Sequence, residues 1–396
     1  MKKISLLLIV CFLFLTFSVY ASDDSLEGEE IEETVSRGIR VPDRTFEAGL
    51  NAGFGFANNV LTTEEIFQKT LILDIDKLGG GLKVDLGIGV TPLYFKYDSG
   101  RGWGFGLSTG ADAIGTLGLS GDMLSLKMTD NSRSDLSGAV FGSVGIDTFF
   151  RIKQFKLKFK PAIYYTFFYL KPNISYTYNN TDQETRFFIN MGLQIFTAYS
   201  PETSKLTAEP GADFSLGVEY PLLKELDVGV DFVNVPIVSS TIKSYEKTST
   251  VLGSKEPVSV EELMSAFGLG DAASVYGESD EKVYRPFKML FRADWRPFID
   301  KVPLSIIPTI GFSVCQLYVE PAAIEAGLKA RLDFANRFIF TLGIGYYDRL
   351  WKNSIDLALN FRAVEFNIGA DLRAQDFAQS WEGYGFGLRV GFKFGW

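Results

Sequence analysis

The stretch 384-YGFGLRVGFKFGW-396 puts an apolar side chain at every second position: Tyr384, Phe386, Leu388, Val390, Phe392, Phe394 and Trp396. Between them lie Gly385, Gly387, Arg389, Gly391, Lys393 and Gly395. A strict period of two places aromatic and aliphatic groups on one face of an extended strand, and glycines and cations on the other. At the rim of a soluble sheet such a strand is an open template for aggregation. Closed into a barrel in lipid, it has a partner on each side and its apolar face meets acyl chains.

The same alternation recurs upstream. Phe46, Ala48, Leu50, Ala52, Phe54 and Phe56 form one face of a first strand, and closure predicts that this strand pairs with the last. Further runs fall at 82–90, 103–107, 155–169, 187–195, 214–220, 228–232, 287–295, 306–314, 324–334, 338–346 and 355–361. At Arg362-Ala363 the apolar parity flips to Val364, Phe366 and Ile368, which marks a tight hairpin turn. Many runs exceed the ordinary soluble strand of about 5–6 residues and match the ~9–11 that a tilted strand needs to cross a bilayer.

The fold class is therefore all-β, a transmembrane antiparallel β-barrel of about 14 strands, with 16 as the alternative, since closed bacterial barrels are even-numbered. A large soluble sandwich is the competing architecture. With the C-terminus in the periplasm, the turns at 335–337 and 362–363 are short periplasmic ones, and 238–282 is a long external loop. Counts from the two ends collide near 199–211. The barrel is expected to span 45–396.

Residues 1–21 resemble a secretory signal peptide: Lys2 and Lys3, an apolar run from Ile4 to Val19, then small residues before Ser22. An uncleaved anchor is the alternative. The expected location is the outer membrane of a diderm bacterium after Sec-dependent export. Residues 22–44 form an acidic, solvated segment, with seven carboxylates between Asp23 and Thr34. The formal charge is −9. Cleavage removes Lys2 and Lys3 and takes it two lower, to −11, which argues against nucleic acid as partner. Cys315 is then the sole cysteine, so no internal disulfide forms.

There is no histidine. Ser-His-Asp and Cys-His catalysis and His-ligated zinc are thereby excluded, and the sequence calls for no enzyme activity, cofactor or metal. The glycines alternate with aromatics and lack the strand–helix setting of a nucleotide-binding loop. Asp74 and Asp76, in ILDID, read as one face of a strand or helix end.

Two capping boxes interrupt the strands. Thr62 and Glu65 predict a short helix from Thr63 to at least Lys69, with Ile66 and Phe67 on it. Ser259 and Glu262 predict a second, from Val260 to about Phe267. Either the first folds into the lumen as a plug or gate, or it packs on a loop rim. The inward positions carry mixed charge: Lys83, Asp85, Lys158, Asp231, Arg292, Asp294, Arg296, Lys329, Arg331 and Arg362. The larger share should pair across strands, and the rest should line a hydrated path.

The signal peptide, the alternating strands and the terminal YGFGLRVGFKFGW resemble bacterial outer-membrane β-barrel proteins. The strand count, the segment ahead of the first strand and the inserted helix are similar to FadL-type barrels. That resemblance implies passive uptake of long-chain fatty acids or other hydrophobic solutes past an N-terminal hatch. The family's Asn-Pro-Ala motif does not occur near the mature N-terminus, so no ligand residues carry over. The resemblance also implies that Phe392, Phe394 and Trp396 form the signal read by the outer-membrane assembly machinery. Expected partners are outer-membrane lipid, that machinery and a small solute. A general diffusion porin for polar solutes and a surface adhesin built on 238–282 are the alternatives.

Overall fold

The computed structural model describes residues 44–67, 79–121, 134–181, 184–199, 205–254, 273–298, 302–318 and 320–396. The expected signal peptide, the acidic stretch to residue 43, Asp74 and Asp76, and the second expected helix lie outside these residues.

Among the described residues seventeen strands follow one another: β1 (Phe46–Asn58), β2 (Leu82–Asp98), β3 (Trp103–Leu119), β4 (Ser134–Ile152), β5 (Phe155–Thr181) and β6 (Glu184–Thr197). There follow β7 (Gly211–Leu223), β8 (Leu226–Val238), β9 (Ser240–Ser254), β10 (Ala273–Val283), β11 (Phe287–Trp295) and β12 (Leu304–Val314). The last are β13 (Ala322–Phe334), β14 (Phe338–Tyr347), β15 (Leu350–Asn360), β16 (Val364–Ala374) and β17 (Gly385–Gly395). Two short helices interrupt them, α1 (Thr63–Phe67) and α2 (Gln379–Glu382).

Fourteen of these strands close a ring. Antiparallel pairing runs β1–β2–β3–β4–β5–β7–β8–β11 and on from β12 in order to β17, which returns to β1. The other three extend the wall. β6 pairs with the outer half of β5 and with β9, and β9 pairs with β10. β8 passes into β9 across Ser239, and β10 reaches β11 across Tyr284, Arg285 and Pro286. The 27 residues of β5 span roughly 90 Å at ~3.3 Å each, three times a ~30 Å hydrocarbon core, so its outer half stands beyond the bilayer.

The short connections gather at one end, at 99–102, 153–154, 224–225, 335–337 and 361–363, where β1 begins and β17 ends. In barrels of this kind that end is periplasmic. At 335–337, Ala335 and Asn336 hold φ of 57° and 54°, the handedness of a two-residue hairpin turn. Asp333 Oδ1 accepts the Asn336 N–H at 2.7 Å and fixes the turn.

The ring closes on the C-terminal strand. β17 pairs with β1 from Glu47↔Gly395 to Ala57↔Gly385, as the alternation predicts. Trp396 both accepts from and donates to the Phe46 backbone at 3.1 Å, and its ring stacks on Phe46 at 4.6 Å. The outward face is apolar all round: Leu50, Phe105, Ile146, Phe159, Ile310, Ile324, Ile368 and Leu388 are all exposed. A belt this continuous is a lipid-facing surface.

Two features differ from the sequence reading. The run at 187–195, read with the wall strands, is β6 of the extension, and β7 takes its place beside the lower half of β5. The connection at 198–210 is this handover, which is why counts from the two ends collide there. Conversely, β4 carries no clean alternation, because Ala139, Phe141 and Phe149 put apolar groups on its inward face too. The stretch 238–282 holds β9 and β10 on its flanks.

Phe394→Ala, or deletion of Trp396, should lower the folded fraction in outer membranes several-fold, read as the heat-modifiable band on unheated gels. Ile324→Ala, equally lipid-exposed but away from the seam, should change it little; equal loss in both would remove the seam's special weight.

Candidate functional site

Inward side chains follow from the pleat: cross-strand partners share a face, so one inward residue on β1 fixes the inward set around the ring. At the periplasmic end Arg44 ties three elements together. It lies 3.1 Å from Glu47 and 3.3 Å from Glu365, and donates to Asn360 Oδ1 at 2.9 Å and to the Arg362 carbonyl at 2.6 Å. Lys393 Nζ lies 3.4 Å from Glu365, and Tyr94 donates to Glu47 at 2.7 Å.

Higher on the same wall, Asp371 has a fully buried side chain and accepts from Arg373 at 2.5 and 2.7 Å and from Arg389 at 3.1 Å. Gly55 and Gly387 are paired across the β1–β17 seam, and a Cβ on either would run into the Arg373 guanidinium. These glycines therefore make the slot that lets a buried cation lie flat on the seam.

On the opposite wall Glu219 is the hub. Lys158 reaches it at 3.0 Å and Lys156 at 4.0 Å, and Arg292 binds it while keeping Asp231 at 3.2 Å. Arg296 binds Asp227, with Asp294 at 3.8 Å. Lys288 bridges Glu325 at 3.4 Å and Asp348 at 2.7 Å. Removing one partner of such a buried pair costs about 3–5 kcal/mol, since the other charge stays desolvated.

These walls enclose a cavity of about 510 Å³. Toward the outer end an apolar cluster lies beyond this cavity, beside Lys288 and Asp348. Phe141, Tyr164, Tyr169, Phe196, Ile242, Val283, Cys315 and Leu317 form one buried cluster, with Ile114 and Tyr318 against it. Leu317 reaches this layer from the 315–321 connection between β12 and β13. The Ser137 hydroxyl of β4 donates to its carbonyl, and four ring strands separate β12 from β4, so Leu317 reaches across the lumen. Tyr318 lies under the Arg349 guanidinium at 4.6 Å.

No family model matches the chain, and no curated protein sequence matches it. Among solved structures it is similar to the toluene transporter TodX of Pseudomonas putida, at 12% identity and a TM-score of 0.52, over 90% of this chain and 91% of that one. It is also similar to the toluene transporter TbuX of Ralstonia pickettii, at 8% identity and a TM-score of 0.51, over 90% of each chain. The likeness is one of fold.

Of the inward charges expected from sequence, Lys158, Arg292, Asp294, Lys329 and Arg331 border the cavity. Asp231 and Arg296 stand behind them in the pairings above, and Arg331 has Asp333 at 3.6 Å. Asp85, near the outer end of β2, accepts from Gln375 at 2.8 Å, and Lys83 is exposed there, its backbone N–H bonded to Asn59. Arg362 lies in the β15–β16 turn with φ 70°, exposed.

The capping box is formed: the Thr62 N–H donates to Glu65 Oε2 at 2.7 Å, and the Glu65 N–H to Thr62 Oγ1 at 3.2 Å. The Ile66 N–H bonds back to the Thr62 carbonyl at 3.1 Å. Thr63 donates twice to the Gly383 carbonyl, which seats the start of α1 on the end of α2 at the outer rim. Phe67 is the last described residue of that helix. Sequence reasoning missed Asp112, Asp213, Glu219 and Arg285. The first three sit on inward parity and were there to find; Arg285 lies in the break between two strands, where no period applies.

Gly55→Val should push the Arg373 guanidinium off the seam and destabilise the barrel by about 1–3 kcal/mol. A thermal or urea unfolding curve reads it. Adding Arg373→Ala should recover part of the loss, and full additivity would show that the slot is not the cause.

Proposed function

We propose that the protein carries small hydrophobic or amphipathic solutes passively across the bacterial outer membrane, with the apolar layer at the outer end as its gate. The observation that carries this reading is the layer itself. A buried aromatic and aliphatic septum opposes a continuous column of water and is chemically matched to an apolar solute. The fold shared with two toluene transporters supports the same class. The pairing of the lumen charges tells against a general diffusion porin, because charges held by each other offer a weaker field to passing ions.

In this reading the chain is exported by its N-terminal segment and inserted through recognition of Phe392, Phe394 and Trp396. The movable part of the gate in this reading includes residues 315–318, which follow β12 and lie outside the wall strands. Cys315 reports its position. Burial pushes the Cys315 thiol up to about 12, so at pH 8 the thiolate is on the order of one molecule in ten thousand.

In planar bilayers the native protein should give no stepwise conductance, while proteoliposomes should take up toluene or a labelled short-chain fatty acid saturably. Phe141→Ala with Leu317→Ala should open ion-conducting steps. Large steps from the native protein, with no saturable uptake, would favour the porin.

Maleimide should label Cys315 very slowly at pH 8 and faster as solute opens the layer. Because a raised thiol pKa withholds the thiolate until the pH passes it, labelling of the closed form should rise steadily up to about pH 12. Fast labelling at pH 7 without solute would contradict a closed layer.

A further inference from the structure

The boundary between the charged chamber and the apolar layer falls on one residue. Asp112 projects inward from β3, and its cross-strand partner on β4 is Phe141. Phe141 is fully buried and meets Tyr164 edge-on at 6.1 Å. Two residues further along the same face of β3, Ile114 packs on the layer. Asp112 itself borders the cavity below.

Its carboxylate is 6% exposed, and Oδ1 has no hydrogen-bond partner. The nearest cation, Arg285, is committed elsewhere: Nε and Nη2 hold Asp213 in a fork at 2.8 and 2.7 Å, and its plane lies over the Tyr164 ring at 5.3 Å. Only Nη1 approaches Asp112, at 4.0 Å. Lys160, the other cation acting on Asp112, lies 3.3 Å from Asp147. Locally three carboxylates, Asp112, Asp213 and Asp147, face two cations. A buried carboxylate oxygen without a donor is costly, and a donor bearing positive charge relieves the cost most.

We propose that Asp112 is the head-group site for the solute, and that the solute class is a small amphipathic amine. A protonated amine would donate to Asp112, and a short chain or ring would lie against Phe141, Ile114 and Tyr164. This deepens the transport reading above and rests on it. A carboxylate head is disfavoured by the local excess of negative charge, and a bare hydrocarbon leaves Oδ1 unmet.

The test is binding to the full chain in lipid nanodiscs, by calorimetry, with hexylammonium, hexanoate and toluene as matched probes. The native protein should bind hexylammonium at least about tenfold more tightly than hexanoate, the scale of one charge-assisted hydrogen bond. Asp112→Asn, checked for folding by heat-modifiable mobility, should lose that preference. Toluene binding together with no preference for hexylammonium in the native protein overturns the head-group site while sparing the transport reading. An unchanged preference in Asp112→Asn overturns it as well. Failure of all three probes to bind overturns both readings.

Discussion

A strand in lipid has nowhere to place an unpaired N–H or C=O, and each one left exposed to hydrocarbon costs several kcal/mol. Everything else in this molecule follows from meeting that demand at one seam, where β17 returns to β1 from Gly395 to Gly385. The seam is made by the two strands farthest apart in sequence, so it carries the largest loop-closure cost of any pair in the ring. Its composition fits that burden. The Trp396 and Phe46 rings stack outside it, and glycine faces glycine inside it at Gly55 and Gly387.

Closure also dictates the interior. A fourteen-membered ring is too wide for wall side chains alone to fill as in the smallest barrels, so long polar side chains must span it. A charge buried there needs a partner within reach, because its desolvation is otherwise uncompensated. The result is a set of triads instead of isolated pairs: Arg44 with Glu47 and Glu365, Arg292 with Glu219 and Asp231, Asp371 with Arg373 and Arg389. Each triad joins at least two strands of the wall, and that of Arg292 joins three, β7, β8 and β11, so the charges that make the lumen polar also brace the wall.

The period-two signal made the ring legible, because an outward lipid face and an inward polar face are written into alternate residues. It gave the right closing pair and the right number of wall strands. It blurred where the two faces are less distinct. β4 was hidden by Phe141 and Phe149, which are apolar yet inward, and Phe141 packs in the buried apolar cluster at the outer end. β6 looked like a wall strand because local alternation carries no information on which neighbour it meets. Arg285 was invisible for a related reason: Pro286 beside it interrupts the strand, and the break is what frees its side chain to cross to Asp213.

The places where alternation fails are thus the places where the wall stops being only a wall. The wall changes course at one level: β5 passes from β7 to β6, β8 bends into β9, and β10 of the extension breaks before β11. The apolar layer lies at that level, drawing Tyr164, Tyr169, Phe196, Ile242 and Val283 from those same strands. Tyr164 joins the two halves. Its hydroxyl donates to the Val283 carbonyl at 3.1 Å, and its ring roofs Arg285. This bond ties the end of β10, just before the strand break, to the apolar layer. Below that level, regular pairing sets most of the inward charges against one another across the chamber. Above it, the wall no longer follows the barrel, and its side chains are free to turn inward and close it.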